Sequence, residues 1–372
     1  MKKRLSIVLC MTLMATSLLA GCKKKEEAPE PTETVSEAEP ETETKTKTGK
    51  DGMARSYLTG EWIDKDLAKK KPVAIMIGNT NDALPQYGLS QADVLYEAPA
   101  EGGITRLMPI FQDYSGLDKI GSVRSCRHYY AYYAMEFDAI YIHYGQAIYA
   151  TELLESGKVE DLNGLEGAID SATFYRDKSR KAPHNAFVST DGIDAGIELK
   201  GYDTELPSDY EGHYQFNEDD EKEIELTDGA DAAVVQPGYY VNNPWFVYNS
   251  EDGLYYRFQY KKEHMDENTG TQLAFKNILL QYCDYTKLDD AHGYLDVEST
   301  GEGTGKYITN GKVIDVTWKK ASENEPTRYY DASGNEITLN QGKTMVCVLL
   351  NDMEKKLNIY ATEDEFTPPS AK

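Results

Sequence analysis

Apolar positions follow two rhythms along this chain. From Pro72 to Asn79 the run PVAIMIGN is apolar without interruption until Gly78 and Asn79 close it, which predicts a strand buried on both faces. Asp93 to Tyr96, Ile104 to Phe111 and Asp138 to His143 are short segments rich in Val, Ile, Leu and Tyr and predict more strands, while Cys126 to Phe137 and Ala147 to Ser156 predict helices between them. That alternation predicts an α/β layer around a central sheet. Past residue 236 the helical signals fade. Gly238 to Tyr248, Leu254 to Tyr260, Ile278 to Tyr285, Tyr307 to Thr309, Lys312 to Trp318, Arg328 to Tyr330 and Thr344 to Leu350 are β-like runs separated by turn residues. Asn310-Gly311 is the sharpest local signal, because a two-residue hairpin turn with both φ angles positive selects Asn-Gly. Ser333-Gly334-Asn335 predicts a second hairpin tip.

The expected fold class is therefore an α/β N-terminal domain followed by a smaller, mostly-β C-terminal domain, after a signal peptide and a disordered tether. The expected divisions are 1–21 for the lipoprotein signal peptide, 22–68 for the lipidated cysteine and tether, and 69–215 for the α/β domain. An acidic linker spans 216–235, the mostly-β domain 236–362 and a flexible tail 363–372.

The N-terminus changes this picture from fold to address. Lys2, Lys3 and Arg4 precede an apolar run from Leu5 to Ala20 that is short for a membrane span, and Leu19-Ala20-Gly21-Cys22 is the small-residue pattern that precedes a lipid-modified cysteine. Cleavage before Cys22 followed by acylation gives more than one chain, which is what stable anchoring takes. The expected location is the outer face of the bacterial plasma membrane, with the membrane as a partner through the lipid anchor. Lys23 to Ser56 is Lys, Glu, Pro and Thr with almost no large apolar residue, so it predicts a solvated tether with a reach of about 30 Å or more. The formal charge is −24, a field that repels nucleic acid phosphates and excludes a nucleic-acid partner from the reading. Apart from Cys10 and Cys22, the cysteines are Cys126, Cys283 and Cys347; they permit one bridge, Cys283 to Cys347, against the expectation of buried free thiols.

Candidate chemistry gathers near predicted strand ends. Glu97-Ala98-Pro99-Ala100-Glu101-Gly102-Gly103-Ile104-Thr105-Arg106 places two carboxylates before a Gly pair, where backbone can turn tightly or approach a ligand. Gly121-Ser122-Val123-Arg124-Ser125-Cys126-Arg127-His128 concentrates positive charge in an acidic chain, with Ser125 as a potential helix cap. These arginines suit a carboxylate or phosphate, or pair internally with Glu97, Glu101 or Asp138. Tyr129, Tyr132, Tyr133 and Glu136 share a helix face, which favours core packing over sugar stacking. His143 ends a strand, and Arg180-Lys181-Ala182-Pro183-His184-Asn185 adds a second imidazole and an amide. No HxxxH or HxH spacing joins His143 and His184 to a carboxylate, and no GxSxG elbow accompanies Ser125, so no metal, cofactor or catalytic triad is expected. Gly301-Glu302-Gly303-Thr304-Gly305 predicts a flexible loop. Alternation through Ile314, Val316 and Trp318 places that tryptophan on an apolar face, whereas Trp245 stays open as a stacking platform.

Leu89-Ser90-Gln91-Ala92-Asp93, Tyr96-Glu97, Glu101 to Arg106, Gly121 to Ser125, Asp138 to Tyr141, Pro183-His184-Asn185, Gly303-x-Gly305, Asn310-Gly311, Trp318 and Gly334 together resemble the YerB-like lipoproteins. The resemblance spans nearly all of the chain beyond the tether. It implies a two-part extracytoplasmic lipoprotein and brings no assigned activity. The leading expectation is a membrane-tethered binding protein, not an enzyme, for an anionic or polyol envelope ligand such as a cell-wall fragment. Arg106, Arg124, Arg127, His143, His184 and Asn185 would grip it, and Glu97 and Glu101 would receive its hydroxyls or hold the arginines. One alternative is an envelope hydrolase or transferase in which Glu101 or His143 moves a proton; another is a non-catalytic protein-binding adaptor.

Overall fold

A twelve-stranded mixed sheet forms the middle of the protein, and its central strands come from opposite ends of the sequence. The computed structural model describes residues 49–369; the expected export segment, Cys22 and the expected tether through residue 48 lie outside the described residues. Across the sheet ten strands run in the order Ala230–Asp231, Lys312–Lys320, Gly301–Thr309, Asn277–Cys283, Thr344–Leu350, Val94–Pro99, Thr105–Phe111, Val73–Ile75, Ile140–His143 and Asp161–Asn163, and two more pair off this path, Arg328–Tyr330 with Lys312–Lys320 and Ile77–Gly78 with Thr105–Phe111. Every residue of Val73–Ile75, Val94–Pro99, Thr105–Phe111 and Ile140–His143 is buried, as uninterrupted apolar runs require. Thr344–Leu350 lies parallel to Val94–Pro99 on one side and to Asn277–Cys283 on the other, so the N- and C-terminal parts meet inside one sheet. A six-stranded sheet built around Trp245–Asn249 and Leu254–Gln259 belongs to the C-terminal part.

Helices are few. α1 (His128–Met135), α2 (Thr151–Glu155), α3 (Gly167–Thr173) and α4 (Thr190–Lys200) all precede residue 201, and the described elements beyond it are strands and short 3-10 turns. The helix expected from Cys126 starts at His128 because the backbone at Arg127 is still extended (φ −120°, ψ 137°). Ser125 does not cap it, as the helix start carries no side-chain cap. Tyr129, Tyr130 and Tyr133 of α1 are core residues: the Tyr133 ring stacks on Tyr96 at 5.0 Å, and the Tyr130 hydroxyl accepts from the Ala98 amide (2.8 Å) and donates to the Arg106 carbonyl (2.6 Å). The Asn310-Gly311 turn has both φ angles positive, 48° and 72°, and joins two nine-residue strands.

Three further expectations change. Gly301 to Gly305 is strand and not loop: Gly303 lies opposite Trp318, whose buried indole fills the space a side chain would take and donates to the Tyr282 carbonyl at 2.8 Å. The glycines of that segment thus serve close packing between strands, which a reading of Gly as flexible overlooks. The tether ends before residue 68, because Met53–Arg55 pairs with Trp62–Asp64 and buries Ala54 and Leu58. Asp220 of the acidic stretch accepts from Trp62 Nε1 at 2.9 Å and pairs with Arg55, tying that stretch to this hairpin. Trp245 is no open platform; it is buried and stacks on Phe258 at 5.1 Å. Cys283 and Cys347 are the buried free thiols expected: their strands are neighbours, but the register sets Cys347 opposite Leu280 and Cys283 opposite Leu350.

Gly305 tests the packing argument, since a Cβ there would lie 2.4 Å from the Leu280 carbonyl oxygen. Gly305→Ala should destabilise the protein by about 1–3 kcal/mol in urea unfolding. Gly167→Ala, with nothing within 4 Å of the new methyl, should be neutral or stabilising; equal effects would refute the close-packing role.

Candidate functional site

Strand Val94–Pro99 carries one predicted carboxylate inside the protein, and the turn that follows carries the other. Glu97 has no exposure at all and is consumed by internal partners. Its Oε1 accepts from Asn79 Nδ2 (3.1 Å), Thr105 Oγ1 (2.6 Å) and Asn242 Nδ2 (2.6 Å), and its Oε2 pairs with Arg257 Nη2 at 2.7 Å. Arg257 Nη1 donates to His264 Nδ1, which leaves the proton on Nε2 to reach Gln86 Oε1 at 2.5 Å. Burial, with the Arg257 charge beside it, pushes His264 well below the usual imidazole range, so it stays neutral. The network joins Asn79, Gln86, Glu97 and Thr105 of the N-terminal part to Asn242, Arg257 and His264 of the C-terminal part. Glu97 is thereby a structural anion and not a ligand group.

The turn Glu101–Gly103 follows two residues after the strand, with Gly102 and Gly103 at φ 69° and 75°, values that glycine adopts without cost. It swings Glu101 over the arginines. Arg127 Nε donates to Glu101 Oε2 at 2.9 Å and Arg127 Nη2 to Oε1, while Arg106 Nη2 approaches Oε1 at 3.4 Å. Arg106 Nη1 and Arg127 Nη1 both donate to the Ser125 carbonyl. Arg124 donates through Nη1 to the Pro183 carbonyl (3.0 Å) and to His184 Nδ1 (3.3 Å), and among the described residues it has no carboxylate partner. Sequence proximity brought Arg124 and Arg127 together; only the fold adds Arg106, Glu101 and His184.

Two guanidinium groups therefore hold one carboxylate, and a third, Arg124, feels its charge without pairing with it. Burial would raise the Glu101 carboxyl, but Arg127 and Arg106 more than reverse this and hold it below the ordinary glutamate range. Arg106 is pushed down to about 10, by burial first and by the Arg127 charge second. Arg124 is lowered for the same two reasons. Burial also lowers Arg127, yet the hydrogen bond and charge of Glu101 raise it overall. His184 is lowered by burial and by Arg124, and as the acceptor of an Arg124 proton it is neutral with its proton on Nε2. Such an arrangement is a local excess of cations over carboxylates in an acidic chain.

Other predicted residues lie outside this group. His143 has no exposure, and its ring nitrogens face the Gly145 carbonyl (2.8 Å) and Asp161 Oδ2 (3.0 Å). Asn185 follows His184 but turns its Oδ1 to Arg176 Nη1 at 3.0 Å. Arg257 went unnoticed in the sequence although a signal was present: Tyr255, Arg257 and Gln259 alternate on the buried face of Leu254–Gln259, and an inward arginine on a strand demands a buried anion.

Because removing one partner leaves a buried charge unpaired, Glu97→Gln or Arg257→Met alone should cost about 3–5 kcal/mol in urea unfolding. The double variant should cost less than the two single losses added together. Strict additivity would remove the pair as the link between the two parts.

Comparison with known proteins places this geometry in a family. Residues 58–203 match the model described as the N-terminal domain of a protein of unknown function, DUF3048, and residues 233–346 match the DUF3048 C-terminal domain. A Bacillus subtilis (strain 168) protein named "Putative lipoprotein YerB" is 30% identical over 333 residues, covering 87% of this chain and 88% of its own length. The crystal structure of the YerB protein from Bacillus subtilis superposes with a TM-score of 0.72 at 29% identity, covering 82% of this chain and 99% of that one.

Proposed function

The chain belongs to the DUF3048 family of YerB-like proteins, and from that premise we propose that it is a membrane-anchored lipoprotein that binds an anionic cell-envelope ligand at Arg106, Arg124, Arg127 and His184. The observation that carries this reading is the imbalance of charge: of three clustered guanidinium groups, Arg106 and Arg127 share Glu101, and Arg124 is left with neutral acceptors only. A carboxylate or phosphate completes the set with charge-assisted hydrogen bonds, and His184 Nε2–H is a further donor beside it. Glu101 holds Arg106 and Arg127 in position for the guest, the supporting role that gives such sites precision. Anchoring through Cys22 is supported by the small-residue pattern before that cysteine and by the name of the Bacillus subtilis relative.

A proton-transfer enzyme is less well supported by the same geometry. Glu101 is held ionised by two arginines, and His143 is sealed inside with both nitrogens facing acceptors of the chain itself. Both are poorly placed to exchange protons with a substrate.

Isothermal titration with sulfate, whose charge does not change near neutral pH, tests the site. The wild type should bind, and Arg124→Ala should weaken binding about tenfold or more with an unchanged melting curve, the worth of one charge-assisted contact. Absence of binding for sulfate, phosphate and carboxylate sugars alike would overturn the reading in favour of a protein-binding adaptor.

His184 gives the site a pH dependence of known sign. Its folded pKa lies below the usual value, so the imidazole gains its proton only on the acid side of about 6.5. Protonation there adds a cation beside Arg124, and sulfate affinity should rise as pH falls through that range. His184→Asn should flatten the rise; an identical profile in the variant would remove His184 from the site.

A further inference from the structure

Gly102 and Gly103, which follow Glu101 in the turn, also line a cavity of about 470 Å³ that none of the site arginines touches. That volume lies in the range of small-molecule sites. The opposite wall comes from the C-terminal part, through Tyr239, Tyr240 and the segments around Tyr285–Lys287 and Leu350–Met353.

Tyr239 and Tyr240 divide two tasks. The Tyr239 hydroxyl bonds the carbonyls of Glu97 (2.8 Å) and Val348 (2.9 Å), which fixes this turn to the central sheet. Tyr240 is then left 63% exposed at the cavity, a large ring without a covering partner on that side. One ring face receives the Lys356 ammonium, 3.1 Å from the centroid, and Lys356 does not line the cavity. The other ring face has no aromatic or cationic partner among the described residues, and Tyr240 forms part of the cavity wall. Leu295, Leu350 and Met353 supply apolar lining, and Asp352 supplies a carboxylate whose Oδ2 is held by the Tyr285 hydroxyl at 3.1 Å while its Oδ1 stays available.

We propose that this cavity is a saccharide subsite that takes an N-acetylated sugar ring flat on Tyr240. A pyranose ring presents an apolar face of C–H bonds and a polar edge of hydroxyls, so it needs a flat aromatic surface beside an oriented acceptor; Tyr240 and Asp352 are that combination. The acetyl methyl takes the apolar patch of Leu295, Leu350 and Met353. A cationic ligand is the poorer partner, because the ammonium of Lys356 already draws on the Tyr240 π-system and would repel a second positive charge. The subsite does not depend on the arginine cluster, and a neutral probe keeps the two apart.

Titration with tetra-N-acetylchitotetraose, followed by saturation-transfer NMR, reads the subsite directly. Wild type should bind, Tyr240→Ala should weaken binding about five- to tenfold at an unchanged melting temperature, and Tyr240→Phe, which keeps the ring, should restore it. Asp352→Asn should also weaken it. No binding by the wild type, equal binding by Tyr240→Ala, or binding of tetramethylammonium in place of the oligosaccharide would each overturn the assignment.

Discussion

A fully buried carboxylate facing a fully buried guanidinium sets the architecture. Glu97 sits on a strand of the N-terminal part and Arg257 on a strand of the C-terminal part, 160 positions later, and neither reaches water. Two charges withdrawn from solvent are tolerated only when each meets the other and most of their remaining valences are met: Asn79, Thr105 and Asn242 complete the Glu97 carboxylate and His264 takes Arg257 Nη1, while Arg257 Nε is left without a partner. The attraction itself is offset by lost hydration, so its worth lies in specificity: any other docking of the two parts strands a charge in the interior. A second clamp of the same kind lies on α1 and its neighbours, where Glu136 takes Lys320 Nζ and His213 Nε2, each at 2.6 Å, with all three side chains buried.

From that constraint the candidate sites follow by position along one strand. Val94–Pro99 is hydrogen-bonded on one edge to Thr344–Leu350 and on the other to Thr105–Phe111, so its end cannot drift. The turn beyond it delivers Glu101 to the arginines and Gly102 and Gly103 to the neighbouring cavity. Tyr239 reads the same strand through the Glu97 carbonyl and so places Tyr240. Arginine site and cavity are thus supported by the most constrained segment of the fold, a rigid base of the sort that precise recognition requires.

Local patterns in the sequence reported what local physics controls. Uninterrupted apolar runs mark buried strands because both faces are covered; Asn310-Gly311 marks a hairpin because its dihedrals admit few other residues; and Arg124 with Arg127 forms part of a cationic patch because three positions separate them. Where sequence reading failed, the cause was a partner distant in the chain. Gly303 looked flexible until Trp318 from the paired strand filled its place. Glu97 and His143 looked available until Arg257 and Asp161 were seen to occupy them.

By itself, the sequence marked many of the buried strands, α1 and α2, the concentration of charge around residues 101–128 and the small-residue pattern before Cys22, since each depends on neighbours within a few positions. Tertiary structure alone decided which charges are spent and which remain. Glu97 and Glu101 are four residues apart and chemically alike, yet one is walled in with Arg257 while the other faces a surplus of arginines. The difference is the dielectric and the company each carboxylate meets after folding, quantities set by chain segments that no local pattern connects.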